Sequence, residues 1–411
     1  MKTDLNTLID VRSGERSPLA WAFLMFFAVL ASYLTVRPLR EAMGASLPKG
    51  DLAELFAVVL IVMVVLVPVF GAITTRLPRR LIVPVVYGFF ISNLVAFSYL
   101  MRGGVTPWLA STFFVWVSVY NLFVVSLFWS LMANYWSSEA GKRLFGVISA
   151  GGTLGALTGP LAAARLAPAI GTENLALVSA GFLAVALAAS FKLARIAQGS
   201  DAERPPLTLT AIFDGARQVA CQPYLLRIAL FILLANLVST FFYLEQSRLV
   251  KETITGEAAR VSFFAWRDFM VSVATACIQL LGTARILTTF GLTAALAALP
   301  VVCLGGLLTI GLVPTLAVVS GVMVVERITA FALAGPAIRV LYTVVDPDDK
   351  YKAQNFIDTV VYRAGDAASG WLFGIAGKAI VVVALPFALA WLIASRGLER
   401  MHQERAGGMR P

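Results

Sequence analysis

Charged side chains stand at the ends of, or inside, stretches that are otherwise apolar. Arg267-Asp268 interrupts the run 261–284, Glu326-Arg327 closes the run 286–325, and Asp358, Tyr362, Arg363 and Asp366 lie within 356–376. Arg37, Arg40 and Glu41 follow the run Leu19–Val36. A charge at mid-bilayer costs at least about 2.5–3.5 kcal/mol on insertion scales, so such residues usually face a cavity or one another. Arg267 lies seven residues after Arg260, about 10 Å along a helix, and Glu326 lies 12 residues after Pro314, about 18 Å. Neighbours in sequence point different ways on a helix, so Arg267-Asp268 and Glu326-Arg327 are expected to find partners on other helices. Asp358, Tyr362 and Asp366 are four apart and form one polar stripe, and Arg363 can reach Asp366. A guanidinium that holds a phosphate or carboxylate, and a carboxylate that holds a proton, make the chemistry of an ion or metabolite path. The plainer reading is a set of ion pairs that holds helices together.

Covalent and metal chemistry find little support. The single histidine, His402, sits in the polar C-terminal tail, and the three cysteines, Cys221, Cys277 and Cys303, form no CxxC. No Ser-His-Asp triad or His-based metal site can be built inside the apolar runs, so neither a metal nor a cofactor is expected. No GxxxxGK[S/T] loop is present, which argues against ATP-driven pumping by this chain. Aromatic residues crowd the stretch that holds Trp116, Tyr120 and Trp129, and Tyr120 and Asn121 are cavity candidates there.

The elements that must position these residues follow from composition. Of 411 residues, 59% are hydrophobic and 14% charged, against roughly 45–50% and about 25% in soluble domains. A soluble multidomain enzyme is excluded, and an all-α, multi-pass membrane protein remains. Single spans are read at Leu19–Val36, Leu55–Thr75, Leu81–Met101, Pro107–Trp136, Leu144–Ala164, Asn174–Phe191, Ile228–Leu244, Val261–Ala284, Phe356–Ala376 and Ala379–Ser395. The run 286–325, broken near Pro314, adds two more, which makes 12. With both termini inside, inner segments hold 21 of the 33 Lys and Arg, the sign expected for cytoplasmic termini in the inner membrane. The net charge of +10 is explained that way and needs no nucleic acid. The polar stretch 195–223 reads as a cytoplasmic linker between six-span halves 1–194 and 224–396, with a polar tail 397–411. Six plus six with an inner linker is the major facilitator layout.

Several motifs carry a family resemblance. Gly71, Arg76, Arg79 and Arg80 fit the major facilitator loop signature between spans two and three, with Thr75 and Pro78 in place of its Asp and Gly. Gly146, Gly155, Gly159 and Pro160 resemble the span-five signature of major facilitator antiporters. Gly151, Gly155 and Gly159 lie on one helical face and permit close backbone approach. Pro160 removes a backbone donor. Two longer stretches, Ser126–Gly146 and Leu341–Asp366, resemble the bacterial ATP:ADP antiporter family of nucleotide exchangers, as does Arg37-Pro-Leu-Arg40-Glu41. That resemblance implies a 12-span exchanger that swaps nucleotides across the membrane. Asp366 stands where those exchangers, by their pattern, carry a Lys suited to phosphate, which argues against a polyanionic substrate.

The expectation is therefore a monomeric alternating-access carrier, not an enzyme, that exchanges nucleotides or a related anionic metabolite. The rival is a proton-coupled facilitator that uses Asp366, Asp358 or Glu326 as its proton site. A polytopic membrane enzyme is the remote alternative, because the loops supply no paired catalytic motifs.

Overall fold

The computed structural model describes residues 11–12, 14–48, 51–76, 79–136, 138–196, 209–376 and 379–408. Among them every regular element is a helix. In chain order these are α1 (Arg16–Ser46), α2 (Asp51–Arg76), α3 (Arg79–Met101), α4 (Pro107–Tyr135), α5 (Ser138–Ile170), α6 (Leu175–Ile196), α7 (Leu209–Cys221) and α8 (Pro223–Thr253). They continue as α9 (Glu257–Leu281), α10 (Thr283–Leu312), α11 (Leu316–Thr329), α12 (Gly335–Leu341), α13 (Pro347–Phe356), α14 (Tyr362–Ala376) and α15 (Ile380–Gly408). A π turn, Ala330–Ala334, joins α11 to α12, and a second, Ile357–Val361, joins α13 to α14.

Local chemistry sets the boundaries. Thr106 caps α4 by accepting the Leu109 N–H at 3.3 Å, and Pro107 occupies the first turn, where a missing donor costs nothing. The break expected near Pro314 falls between Leu312 and Leu316, where the Thr315 hydroxyl accepts the Val318 N–H at 3.4 Å.

Ten helices among the described residues are long and apolar enough to cross a membrane, against the 12 expected. The difference falls on two places. Leu55–Thr75 lies in α2, where residues 67–76 have side chains outside the described set. Phe356–Ala376 is divided between the second π turn and α14 and carries Asp358, Arg363 and Asp366. In the loop motif, Leu77 and Pro78 lie outside the described residues, as do the side chains of Gly71's neighbours Arg76, Arg79 and Arg80.

The chain packs as two compact units. Unit 1 comprises Met1–Met43, Ile73–Pro206 and Gly256–Phe269, and unit 2 comprises Gly44–Ala72, Leu207–Thr255 and Met270–Pro411. In unit 1 the glycine face of α5 lies against α1. A Cβ at Gly155 would fall on the Phe27 carbonyl oxygen and the Ala31 nitrogen, and one at Gly159 would sit 2.7 Å from the Ala31 carbonyl oxygen. The face therefore packs on protein rather than lipid. Gly146, in the same signature, meets nothing within 4 Å among the described residues. This contrast gives a test. Gly155→Leu should destabilise the protein by about 3 kcal/mol, the upper end for overpacking, because backbone atoms oppose it. Gly146→Leu should leave thermal denaturation in detergent unchanged. Equal melting of the two variants would remove the α1–α5 contact as a structural determinant.

In unit 2 the core is α8, whose apolar residues are buried on nearly every face, as expected for a helix without a polar side. It packs on α11, α14 and α15. The stretch expected as a linker holds α7, an amphipathic helix docked on α13. Gln218 and Gln222 donate to the two oxygens of Asp349 at 2.6 and 2.7 Å, and Gly215 lets the Lys352 carbonyl approach closely. Residues 197–208 lie outside the described set.

Candidate functional site

Two groups of buried charge form, one in each unit. In unit 1 the last turns of α1 meet the middle of α9. Arg37 Nε lies 3.2 Å from Glu41 Oε1 and 3.6 Å from Asp268 Oδ2. Arg267 donates to Glu41 and, at 2.8 Å, to Asp268 Oδ1. Relative exposures of 2% for Arg267, 1% for Glu41 and 4% for Asp268 place the group out of water. Two cations and two anions leave it neutral, which is the condition for burying charge at all. Arg267 and Asp268 find the partners expected on another helix, Glu41 and Arg37 of α1, and they also pair with each other. The arginine stem is long enough to curl back to its neighbour while the same guanidinium also reaches Glu41 on α1.

Arg40 stands apart from this quartet. Its Nε donates to the Phe114 carbonyl at 3.1 Å, and its guanidinium lies 3.8 Å from the centre of the Phe114 ring. Among the described residues it has no carboxylate partner. The ring face and the carbonyl hold the group while its two terminal nitrogens keep their donors, a geometry that suits a phosphate or carboxylate.

Unit 2 gathers the second group around α8. Ser239 donates to Glu326 Oε1 at 2.6 Å, and Thr240 donates to Asp366 Oδ1 at 2.8 Å. Arg363 Nη1 lies 3.2 Å from Asp366 Oδ2, so the pair expected from their spacing is formed. Arg327, half-buried, adjoins Glu326 on α11. Tyr362 opens α14, four residues before Asp366, and is 43% exposed. Gly365 and Gly370 of α14 leave room for neighbouring helices: a Cβ at 365 would lie 2.9 Å from Asn236 Cβ, and one at 370 would lie 2.7 Å from the Ala53 carbonyl oxygen.

The expected stripe Asp358–Tyr362–Asp366 is divided. Asp358 lies in the π turn, 44% exposed, and pairs with Arg339 at 3.4 Å, whereas Asp366 is buried on α8. Tyr120 is fully buried. Its hydroxyl lies 2.6 Å from Ser32 Oγ, which also contacts Ser179, and its ring stacks on Trp116 at 5.1 Å, so it ties α1, α4 and α6 together. Asn121 is half-buried. Arg143, from the stretch Ser126–Gly146, grips Glu15 with both terminal nitrogens at 2.9 and 3.3 Å. That contact, with the Arg12 N–H, holds the Glu15 carboxyl below the usual carboxylate range. No group of three or more His, Cys, Asp or Glu suited to a metal ion occurs among the described residues.

Sequence reading passed over Asn236, Ser239 and Thr240. The signal was present: three polar side chains at i, i+3 and i+4 on one face of an otherwise apolar span.

Comparison with solved structures places this architecture. The chain is similar to a bacterial homologue of the human lysosomal transporter Spinster, inward-facing and unoccupied, with a TM-score of 0.54 and 13% identity over 96% of each chain. It is similar to an inward-facing bacterial homologue of the iron transporter ferroportin, with a TM-score of 0.64 and 16% identity over 94% of this chain and 98% of that one. A third likeness is to an autoinhibited peptide transporter of the POT family, with a TM-score of 0.62 and 9% identity over 96% and 97%. The chain shares its fold with these three transporters. No protein-family model and no curated protein matches the sequence.

Proposed function

We propose that this protein is an alternating-access secondary transporter of the cytoplasmic membrane that exchanges an anionic metabolite of the nucleotide class. In this reading it has 12 spans in two six-helix halves, 1–194 and 224–396, with both termini inside. The fold likeness supports a carrier. The observation that carries the anion is Arg40, a guanidinium held by a ring and a carbonyl, with no carboxylate partner among the described residues. Arg363 offers a second cation whose carboxylate partner a substrate anion can replace. Asp366 and Glu326 also keep the proton-coupled reading in play, so the test must separate the two.

The protein is reconstituted in liposomes loaded with ATP, ADP, AMP or buffer, and labelled nucleotide uptake is followed with and without a pH gradient. Uptake only into nucleotide-loaded vesicles is the expected result. Uptake driven by the pH gradient into buffer-loaded vesicles overturns exchange in favour of proton coupling.

Arg40→Gln supplies a second check. Steering by a surface charge changes association by tenfold or more and fades with salt. The variant should raise the KM for the exchanged anion roughly tenfold at low ionic strength and merge with the parent at high salt. A KM equal to the parent's at every salt concentration would leave Arg40 as a headgroup anchor.

A further inference from the structure

Three arginines meet at one end of unit 2 with no carboxylate between them. Arg227, at the start of α8, lays its guanidinium over Gly397, near the end of α15, with Nη1 3.5 Å from where a Cβ would stand. Arg396 and Arg400 flank that glycine on α15 and lie one turn apart on a single face. All three arginines are exposed, and among the described residues none of their side chains has a hydrogen-bond or ion-pair partner. Glu399 accepts from Gln403 at 3.2 Å instead, and Glu404 lies further into the tail. Inward of the arginines both helices present apolar side chains outward. Ile393 and then Leu389 precede Arg396 on its face of α15, and Leu230 follows Arg227 by one turn of α8, with exposures of 72%, 51% and 45%. A lone arginine at the end of a span reaches for the interface by snorkelling. Three that converge without an acid repel one another until an anion joins them.

We propose that this end of the α8–α15 seam is a binding site for an anionic phospholipid. The phosphate is held by Arg227, Arg396 and Arg400, and the acyl chains run along Leu230, Ile393 and Leu389. The guanidinium fork matches two phosphate oxygens at once, and basic pockets between spans at the membrane surface suit lipid head groups. The apolar stretch decides the source of the phosphate. A free phosphate uses the arginines alone, whereas a lipid uses the arginines and the exposed side chains inward of them. Gly397 has a part in this, because a larger side chain there would push Arg227 away from the other two. The site is independent of what the carrier moves and of the charged groups around α8, α11 and α14.

The test titrates the full chain, in a neutral detergent, with phosphatidylglycerol, phosphatidylcholine or glycerol 3-phosphate and counts bound molecules by native mass spectrometry. The parent should bind phosphatidylglycerol about tenfold or more tightly than either of the others. Arg227→Gln, Arg396→Gln and Arg400→Gln should each weaken that binding about fivefold, and the triple variant about a hundredfold, at an unchanged melting temperature without lipid. Arg285→Gln removes another exposed arginine of unit 2, from the start of α10, and should change nothing. If the triple variant does not fold, Gly397→Leu keeps every charge, displaces Arg227 and should weaken phosphatidylglycerol binding to the extent that Arg227→Gln does. Equal binding of the two lipids overturns the proposal, as does a loss in Arg285→Gln as large as in the single variants, since either leaves only a diffuse surface charge. Glycerol 3-phosphate bound as tightly as the lipid overturns it in favour of a soluble phosphate. Unweakened binding by Gly397→Leu overturns the convergence of the three arginines on one head group.

Discussion

Arg267→Leu should cost about 3–5 kcal/mol of stability, the range for removing one partner of a buried ion pair. The quartet in unit 1 is neutral only as a set. Without Arg267 it holds Arg37 against both Glu41 and Asp268, which leaves one negative charge uncompensated at positions no more than 4% exposed. Carboxylates out of water without a cation are among the most expensive groups a protein can bury. The double variant Arg267→Leu, Glu41→Leu leaves Arg37 and Asp268 as a balanced pair and should recover most of the loss. Because these residues share contacts, their effects should be strongly non-additive. Thermal or chemical denaturation of the four proteins in one detergent reads the cycle. A single variant as stable as the parent, or a double variant worse than the single, would contradict the neutral-set account.

The second large effect concerns Arg363 and Asp366. In the exchange reading a substrate anion takes Arg363 from Asp366, and the emptied and loaded states hold different ion pairs. Arg363→Leu with Asp366→Leu removes both charges together, so no orphan remains, and the protein should fold and reach the membrane. Exchange should fall by roughly a hundredfold or more, because charge-assisted hydrogen bonds are worth about 1.5–3 kcal/mol each and two are lost to the substrate. A purely architectural pair predicts the opposite, since replacing a buried ion pair with apolar side chains is often neutral or stabilising. Full exchange by the double variant would end the switching role of this pair.

Much of this was legible in the sequence because bilayer physics writes long signals. Charge-free runs located the ten helices able to cross and the break at Pro314, and glycine spacing marked the close-packing face of α5. Spacing also brought Arg363 to Asp366. What sequence could not convey was which helices meet. Glu41 and Arg267 are 226 residues apart, and nothing in their local patterns names the other. The linker 195–223 looked polar on average, which concealed a helix, Leu209–Cys221, that packs on α13 through Gly215 and Gln218. Tyr120 was read from its depth as a cavity residue. Depth does not distinguish a cavity from a helix junction, and the Tyr120 hydroxyl meets Ser32 of α1, which in turn meets Ser179 of α6.

The two π turns sit beside the charges of unit 2: one begins four residues after Glu326, and the other ends five residues before Asp366. Each is a dislocation in an otherwise regular rod. Passing its surplus residue one position along exchanges backbone hydrogen bonds locally and turns the residue that is passed by about 100°, while the helix on either side keeps its place. A span built this way can swing one side chain from one of its faces to another while its two ends stay where they are.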